Sequence, residues 1–297
     1  MNLTNLNNLD LVSKTKNLVS EERKLTTEIL VHLREIEKRR IHLYFGYSSL
    51  HEFCVKHLGY SDGSAHRRIS AMRLIKEIPE LETKIKEGSL TITNASIVHD
   101  FFKAEKKQNV TYSETKKIEI IEKIATLSTR HTEKVLATIS PNPIPRERTR
   151  LLTETKTEIK VVIDEKTKVK LEKIKELLSN KLDNTYGDLL DKMADIVLEK
   201  ITPKASAQKL HKETDSRYIP KQIKEEILTR DDNQCTFISP TTGKRCESKH
   251  YLEIDHIKPY ATGGKTTKDN LRLLCSNHNK YEATQILGIE VMKRYIE

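Results

Sequence analysis

Tryptophan is absent from this 297-residue chain, and aromatic residues of all kinds make up only 5% of it. Charged residues reach 32% instead, a balance that many solvated helix faces would produce. Nowhere do about 18 apolar residues run together, so no membrane span is expected. The opening Met1-Asn2-Leu3-Thr4-Asn5 has neither the basic nor the apolar region of a secretory signal, which makes a cytoplasmic location the default expectation. Internal repeats and low-complexity tracts are lacking too. Cysteine is scarce: Cys54, Cys235, Cys246 and Cys275 are all there are. In a cytosolic chain, clustered cysteine points to metal binding sooner than to disulfides. Three of the four lie in the last 63 residues, which directs attention to the C-terminal end.

What is abundant is positive charge. Lysine and arginine exceed aspartate and glutamate by ten, and the pI is about 9.2. Such a surplus favours polyanionic partners, nucleic acid first and acidic membrane surfaces second. The length suits about two domains.

Residues 1–140 read as helices with short connections. Leu25, Ile29, Leu33 and Ile36 recur at helical spacing. Ile69, Met72 and Ile75 repeat the pattern up to a break at Pro79, and Ile118, Ile121 and Ile124 repeat it again. Ser140-Pro141-Asn142-Pro143-Ile144-Pro145 cannot continue a helix and reads as a linker. From there to residue 203 one strand is expected in the β-branched run Glu158 to Asp164. Helices around Ile174, Leu177 and Leu178 and around Leu189, Met193 and Ile196 follow it. Pro203 to Ser216 is polar and reads as a second, flexible linker.

Residues 217–297 carry the chemistry. Cys235, Cys246, Cys275 and His278 supply three thiolates and one imidazole, a complete tetrahedral donor set for structural zinc. Cys275 and His278, three apart, face one way on a helical turn. Pro240 and Gly243 allow the chain to turn back between Cys235 and Cys246. The competing reading is three buried thiols. Asp255-His256 lies in an apolar alternation of Leu252, Ile254 and Ile257 that suggests a short strand, its two polar side chains projecting to opposite faces or splaying at the strand's end. A carboxylate beside an imidazole, followed by Gly263-Gly264, suits metal-assisted phosphodiester hydrolysis. The oxygen ligand would hold a hard divalent cation, and the imidazole can take a proton from water near neutrality.

Taken together, Cys235, Cys246, Leu252-Glu253-Ile254-Asp255-His256-Ile257, Pro259, Gly263-Gly264, Asn270-Leu271, Leu274-Cys275 and His278-Asn279 resemble the HNH endonuclease family in its zinc-stabilised ββα-metal form. The resemblance covers roughly 217–297. It implies that His256 is the general base and that Asp255 is a ligand of the catalytic cation, Mg²⁺ or Mn²⁺. Asn270 would brace the loop that orients His256. The family's last position is usually histidine and here is Asn279, which the resemblance makes a second ligand; an exposed helix residue is the competing reading. Arg217, Arg230 and Arg272 could touch phosphates or be merely solvated. His250 matches no ligand position.

Upstream, a short helix, a Gly59-containing turn and a helix capped by Ser61 would form a helix-turn-helix. Five basic residues stand against one acid from Lys56 to Lys76, and Arg67, Arg68 and Arg73 are the candidate DNA contacts. The stretch Leu74 to Asn94 resembles the helical DNA-binding region of ParB-like proteins and the helices that precede many bacterial HNH modules. An ordinary helical bundle with a basic face is the alternative, and Cys54 and His57 suit a core better than a metal. The expectation is therefore a mainly α N-terminal region followed by a small α+β zinc-containing domain. Its function would be that of a metal-dependent DNA endonuclease, or else of a zinc-containing DNA-binding protein that has lost catalysis. The oligomeric state is left open.

Overall fold

The computed structural model describes residues 3–140, 148–178, 185–202 and 216–296. Both expected linkers fall outside these residues except for Ser140 and Ser216. The chain divides into two compact units, one of Met1–Asn142 with Glu213–Glu297, the other Pro143–Lys212. The sequence reading separates 1–140 from 217–297, and in the structure these two parts pack as one unit.

The first unit opens with eight helices: α1 (Asn8–Lys38), α2 (Ile41–Tyr44), α3 (Leu50–Lys56), α4 (Asp62–Glu77), α5 (Leu81–Glu87), α6 (Ile92–Lys107), α7 (Glu114–Ile124) and α8 (Thr129–Ile139). Local signals start most of them. Asn7, Ser49, Ser61, Thr91, Ser113 and Ser128 each accept a hydrogen bond from the backbone N–H three residues on, a cap worth about 1 kcal/mol. Ser61 thus caps α4 as the helix-turn-helix reading expects. Helices α4 and α6 form the centre, with α1 and α5 packed on α4 and α8 on α6. Ala65, Ile69, Met72, Leu74 and Ile75 interlock there with Ala95, Val98, Phe101 and Phe102. Leu33 is buried, but Leu25, expected on the same stripe, is 60% exposed because the first turns of α1 run beyond the core. Cys54 is fully buried and belongs to the core, whereas His57, expected there too, is exposed and stacks on Phe53 from the surface.

The second unit holds a hairpin of β1 (Arg148–Leu151) and β2 (Thr157–Lys160), then α9 (Glu165–Leu177) and α10 (Tyr186–Ile201). The expected single strand is thus one arm of an antiparallel pair, with Arg148 opposite Lys160. Val161, Val162 and Ile163 are exposed and outside the strand. Their β-branched run marks strand propensity.

The first unit resumes with α11 (Lys221–Arg230), β3 (Leu252–His256), β4 (Leu271–Cys275), α12 (Ser276–Leu287) and α13 (Ile289–Ile296). Strands β3 and β4 are antiparallel, pairing Leu252 with Cys275 and His256 with Leu271. Leu271 and Leu273 pack with Ile227 of α11, while Leu274 joins Phe237 and three cysteines. This part rests on the segment between α2 and α3. Asn277 Nδ2 donates to the Ser48 carbonyl at 2.8 Å, and the Lys244 ammonium sits 3.4 Å from the Tyr47 ring centroid. Gly46 has φ +80°, and a Cβ there would lie 2.9 Å from the Lys244 carbonyl oxygen, so only glycine fits this close approach. Among the described residues no helix is long and apolar enough to cross a membrane.

Candidate functional site

Strand β3 sorts its side chains by alternation. Leu252 and Ile254 turn toward the apolar cluster of Ile227, Leu271 and Leu273. Glu253 and Asp255 therefore share the other face, toward α12. Asp255 Oδ2 accepts from Arg272 Nε at 3.3 Å and Nη2 at 3.2 Å, and Nη2 also donates to Glu282 Oε2 of α12 at 3.0 Å. Burial raises the pKa of Asp255, opposed by the charge and hydrogen bond of Arg272. On the same side Asn279 Nδ2 donates to Glu253 Oε2 at 2.5 Å.

His256 ends the strand. Its Nε2 lies 3.0 Å from Oγ1 of Thr266, a buried residue whose hydroxyl donates to the Ser216 carbonyl at 2.7 Å. That hydroxyl has one proton and has already placed it, so it accepts from His256 Nε2–H. The lone pair is then on Nδ1. Burial holds the His256 pKa below the usual histidine value; Asp255 opposes this and Arg217 adds to it. Burial thus favours the neutral ring.

The loop between the strands is tied by Asn270. Its Oδ1 accepts from Lys258 N–H at 2.9 Å, and its Nδ2 donates to the carbonyls of Lys258 and Lys265 at 3.1 and 2.8 Å. Ile257 N–H adds a bond to the Asn270 carbonyl at 2.8 Å. Gly264 passes so close that a Cβ there would lie 1.9 Å from the Lys258 oxygen. Asn270 thus spans both ends of the loop that leaves His256.

The zinc-type donors converge. One ligand atom from each of Cys235, Cys246, Cys275 and His278 lies within 4.8 Å of the others, and all four residues are buried. Among the described residues this is the only such group of three or more. His278 Nδ1 is 3.3 Å from Cys275 Sγ and 3.7 Å from Cys235 Sγ, close to the roughly 3.6 Å edge that zinc's bond lengths give a tetrahedron. His278 Nε2 donates to the Leu43 carbonyl at 3.1 Å, which leaves Nδ1 to face the sulfurs. Phe237 stacks on the ring, centroids 4.0 Å apart. Burial disfavours the charged ring, but the Cys235 and Cys275 sulfurs overcome it and raise His278 to about 9. Hydrogen bonds from Cys246 and Cys275 pull the Cys235 thiol down. This donor set fits a zinc ion.

A family model described as HNH endonuclease matches residues 243–284. Residues 243–284 are thus an HNH-type module. No curated protein and no solved structure matches the chain. The matched segment of the HNH module holds Asp255, His256, Asn270 and Asn279, with Cys246, Cys275 and His278; Cys235 lies before it.

The arginines divide. Arg230 grips Asp231 with two bonds and donates to the carbonyls of Lys268 and Leu271 at 2.9 and 2.7 Å. Asp231 in turn accepts from Leu273 N–H, so Arg230 anchors α11 to β4. Arg272 is held by Asp255 and Glu282. Arg73 pairs with Glu37, and Arg68 lies over the Tyr60 ring and bonds Ser64. Arg67 and Arg217 are exposed, and Arg217 is near enough to His256 to act on its charge. His250, which matches no ligand position, is exposed. Thr266, Glu253 and Glu282 were not singled out from sequence. For Glu253 the period-two relation to Asp255 is a usable signal; nothing near Thr266 marks it.

Proposed function

We propose that the protein is a divalent-cation-dependent DNA endonuclease in which His256 is the general base. The observation that carries this is the placement of the His256 imidazole, with Nε2 committed to Thr266 and Nδ1 left as the proton acceptor; burial, which lowers its pKa, favours the neutral ring. Asp255 and Asn279 offer a carboxylate and an amide oxygen, donors that suit a hard ion such as Mg²⁺ or Mn²⁺. Bound there, the ion would stabilise charge building on the scissile phosphate. His256 Nδ1 would take a proton from the water that attacks phosphorus, and Thr266 would keep the ring turned for it. Asn270 would hold the loop that follows His256, and Arg217 would meet the phosphate backbone. Arg272, paired with Asp255, would keep that carboxylate aimed and neutralise part of its charge. The basic surplus of the chain supports a nucleic-acid substrate.

Supercoiled plasmid, incubated with the zinc-loaded protein and a panel of divalent metals, tests this. Nicked or linear product is expected with Mg²⁺ or Mn²⁺ and none with EDTA. His256→Ala should lower the rate by roughly 10²–10⁴. Full activity of that variant would remove His256 as base. No cleavage by the wild type with any metal would favour the zinc-containing DNA-binding protein instead.

A further inference from the structure

Asparagine and histidine ligate differently, and Asn279 stands at a position where the amide could face either way. An asparagine amide is a fork with a donor prong, NH₂, and an acceptor prong, Oδ1. Only the oxygen can serve a hard cation. Flipping the fork by half a turn would replace that ligand with an N–H that repels positive charge. Something must decide between the two orientations.

Glu253 is placed to decide it. Alternation along β3 puts it on the same face as Asp255, two residues away. Its Oε2 lies 2.5 Å from Asn279 Nδ2. An ionised carboxylate only accepts hydrogen bonds, so Asn279 must present its NH₂ prong to Glu253 and turn Oδ1 away from it. Asn279 and Glu282, three apart on α12, both reach β3, one at Glu253 and the other through Arg272 at Asp255. Glu253 is itself exposed and bonds none of the zinc-type donors.

We infer that Glu253 is a positioning residue for the nuclease site, fixing the Asn279 amide so that its oxygen is the atom offered to the catalytic cation. This rests on the reading of Asn279 as a cation ligand. The same device accommodates a histidine at 279, which could donate one ring N–H to Glu253 and keep the other nitrogen's lone pair free.

The test is Mn²⁺ binding by the full zinc-loaded chain, followed by calorimetry, with plasmid cleavage measured across Mn²⁺ concentrations. The variants are Glu253→Ala, Glu253→Gln, Asn279→Ala and the Glu253→Ala/Asn279→Ala double. Glu253→Ala should weaken Mn²⁺ binding by about ten- to a hundredfold, with zinc content and melting temperature unchanged. Excess Mn²⁺ should restore most of its turnover. Glu253→Gln still offers an amide oxygen to Asn279 and should recover most of the affinity. The double variant should bind no more weakly than Asn279→Ala alone, because one residue acts through the other. Should Glu253→Ala melt early, Glu253→Met keeps the bulk without the acceptor and takes its place. Wild-type affinity in the acceptor-less variant overturns the inference, and so do additive losses in the double variant, which would make Glu253 an independent ligand. Unchanged binding and cleavage in Asn279→Ala would instead overturn the ligand reading beneath it.

Discussion

His278 Nε2 donates to the carbonyl oxygen of Leu43 across 3.1 Å, and the two residues are 235 positions apart in the chain. A donor of the zinc-type cage is thereby fixed by a short helix of the bundle. An outer hydrogen bond of this kind sets the tautomer and aim of a ligating ring. Gly46, Tyr47 and Ser48 contact the same module, so the cage is in direct contact with the helical bundle.

Loss of zinc should therefore be felt in the bundle. Cys275→Ser and His278→Ala are expected to lose zinc and to lower the melting temperature by more than about 5 °C. Hydrogen exchange should also quicken at the amides of residues 43–48. Asn279→Ala should leave zinc and melting point unchanged while cutting cleavage. If His278→Ala keeps its zinc, the ligand roles of His278 and Asn279 are reversed.

A pH effect on stability should come from His42. Burial pushes its pKa down to about 4; Glu37 opposes this, and His278, Arg40 and Arg73 add to it. Its Nδ1 is buried without a hydrogen-bond partner among the described residues. The folded value lies below the ordinary 6.5, so the unfolded chain takes up the proton first on acidification. The stability is present above pH 6.5 and lost as pH falls toward 4, at most about 3 kcal/mol. An ion bound at His278 would act in the same direction. In chemical denaturation from pH 7.5 to 4.5, His42→Leu should flatten this dependence, and an unaltered slope would assign it to other groups.

The two kinds of arginine should separate experimentally. Replacing Arg67 and Arg217, which are exposed, should lower the salt slope of DNA binding by roughly one unit per lost phosphate contact. Arg230→Ala should leave that slope alone and destabilise the module by about 3 kcal/mol, since it strands the buried Asp231. Fluorescence titrations at several salt concentrations, beside urea melts, give both readouts. A changed salt slope without destabilisation in Arg230→Ala would make Arg230 a DNA contact.

The loop after His256 should tolerate little. Gly264→Ala places a methyl group against the Lys258 carbonyl, and Asn270→Ala removes three hydrogen bonds that cross the loop. Both should reduce cleavage by more than about tenfold, as displaced catalytic groups do, with zinc retained. Thr266→Val, which leaves His256 Nε2 without its acceptor, should lower turnover while leaving DNA binding intact. Wild-type turnover in Thr266→Val would return Thr266 to a purely structural role.

The sequence by itself determined what short-range chemistry can carry. Cap residues such as Ser61 and Ser128 start helices through their own neighbours three positions on. The spacing of Cys275 and His278 and the adjacency of Asp255 and His256 are legible because each pattern spans a few residues with distinctive donors, whereas the loop-closing role of Asn270 came only from the family resemblance. Tertiary structure decided the rest. Thr266 meets Ser216 across 50 positions, Asn279 meets Glu253 across 26, and Arg73 meets Glu37 across 36. Arginine looks the same in a sequence whether it faces phosphate or a carboxylate of its own chain. Which it meets depends on folding partners that one sequence does not order. The joining of 1–140 to 217–297 has the same origin, for beside Gly46 and the Tyr47 ring it rests on backbone carbonyls, Leu43 and Ser48, that every residue type possesses and that only the folded chain aims.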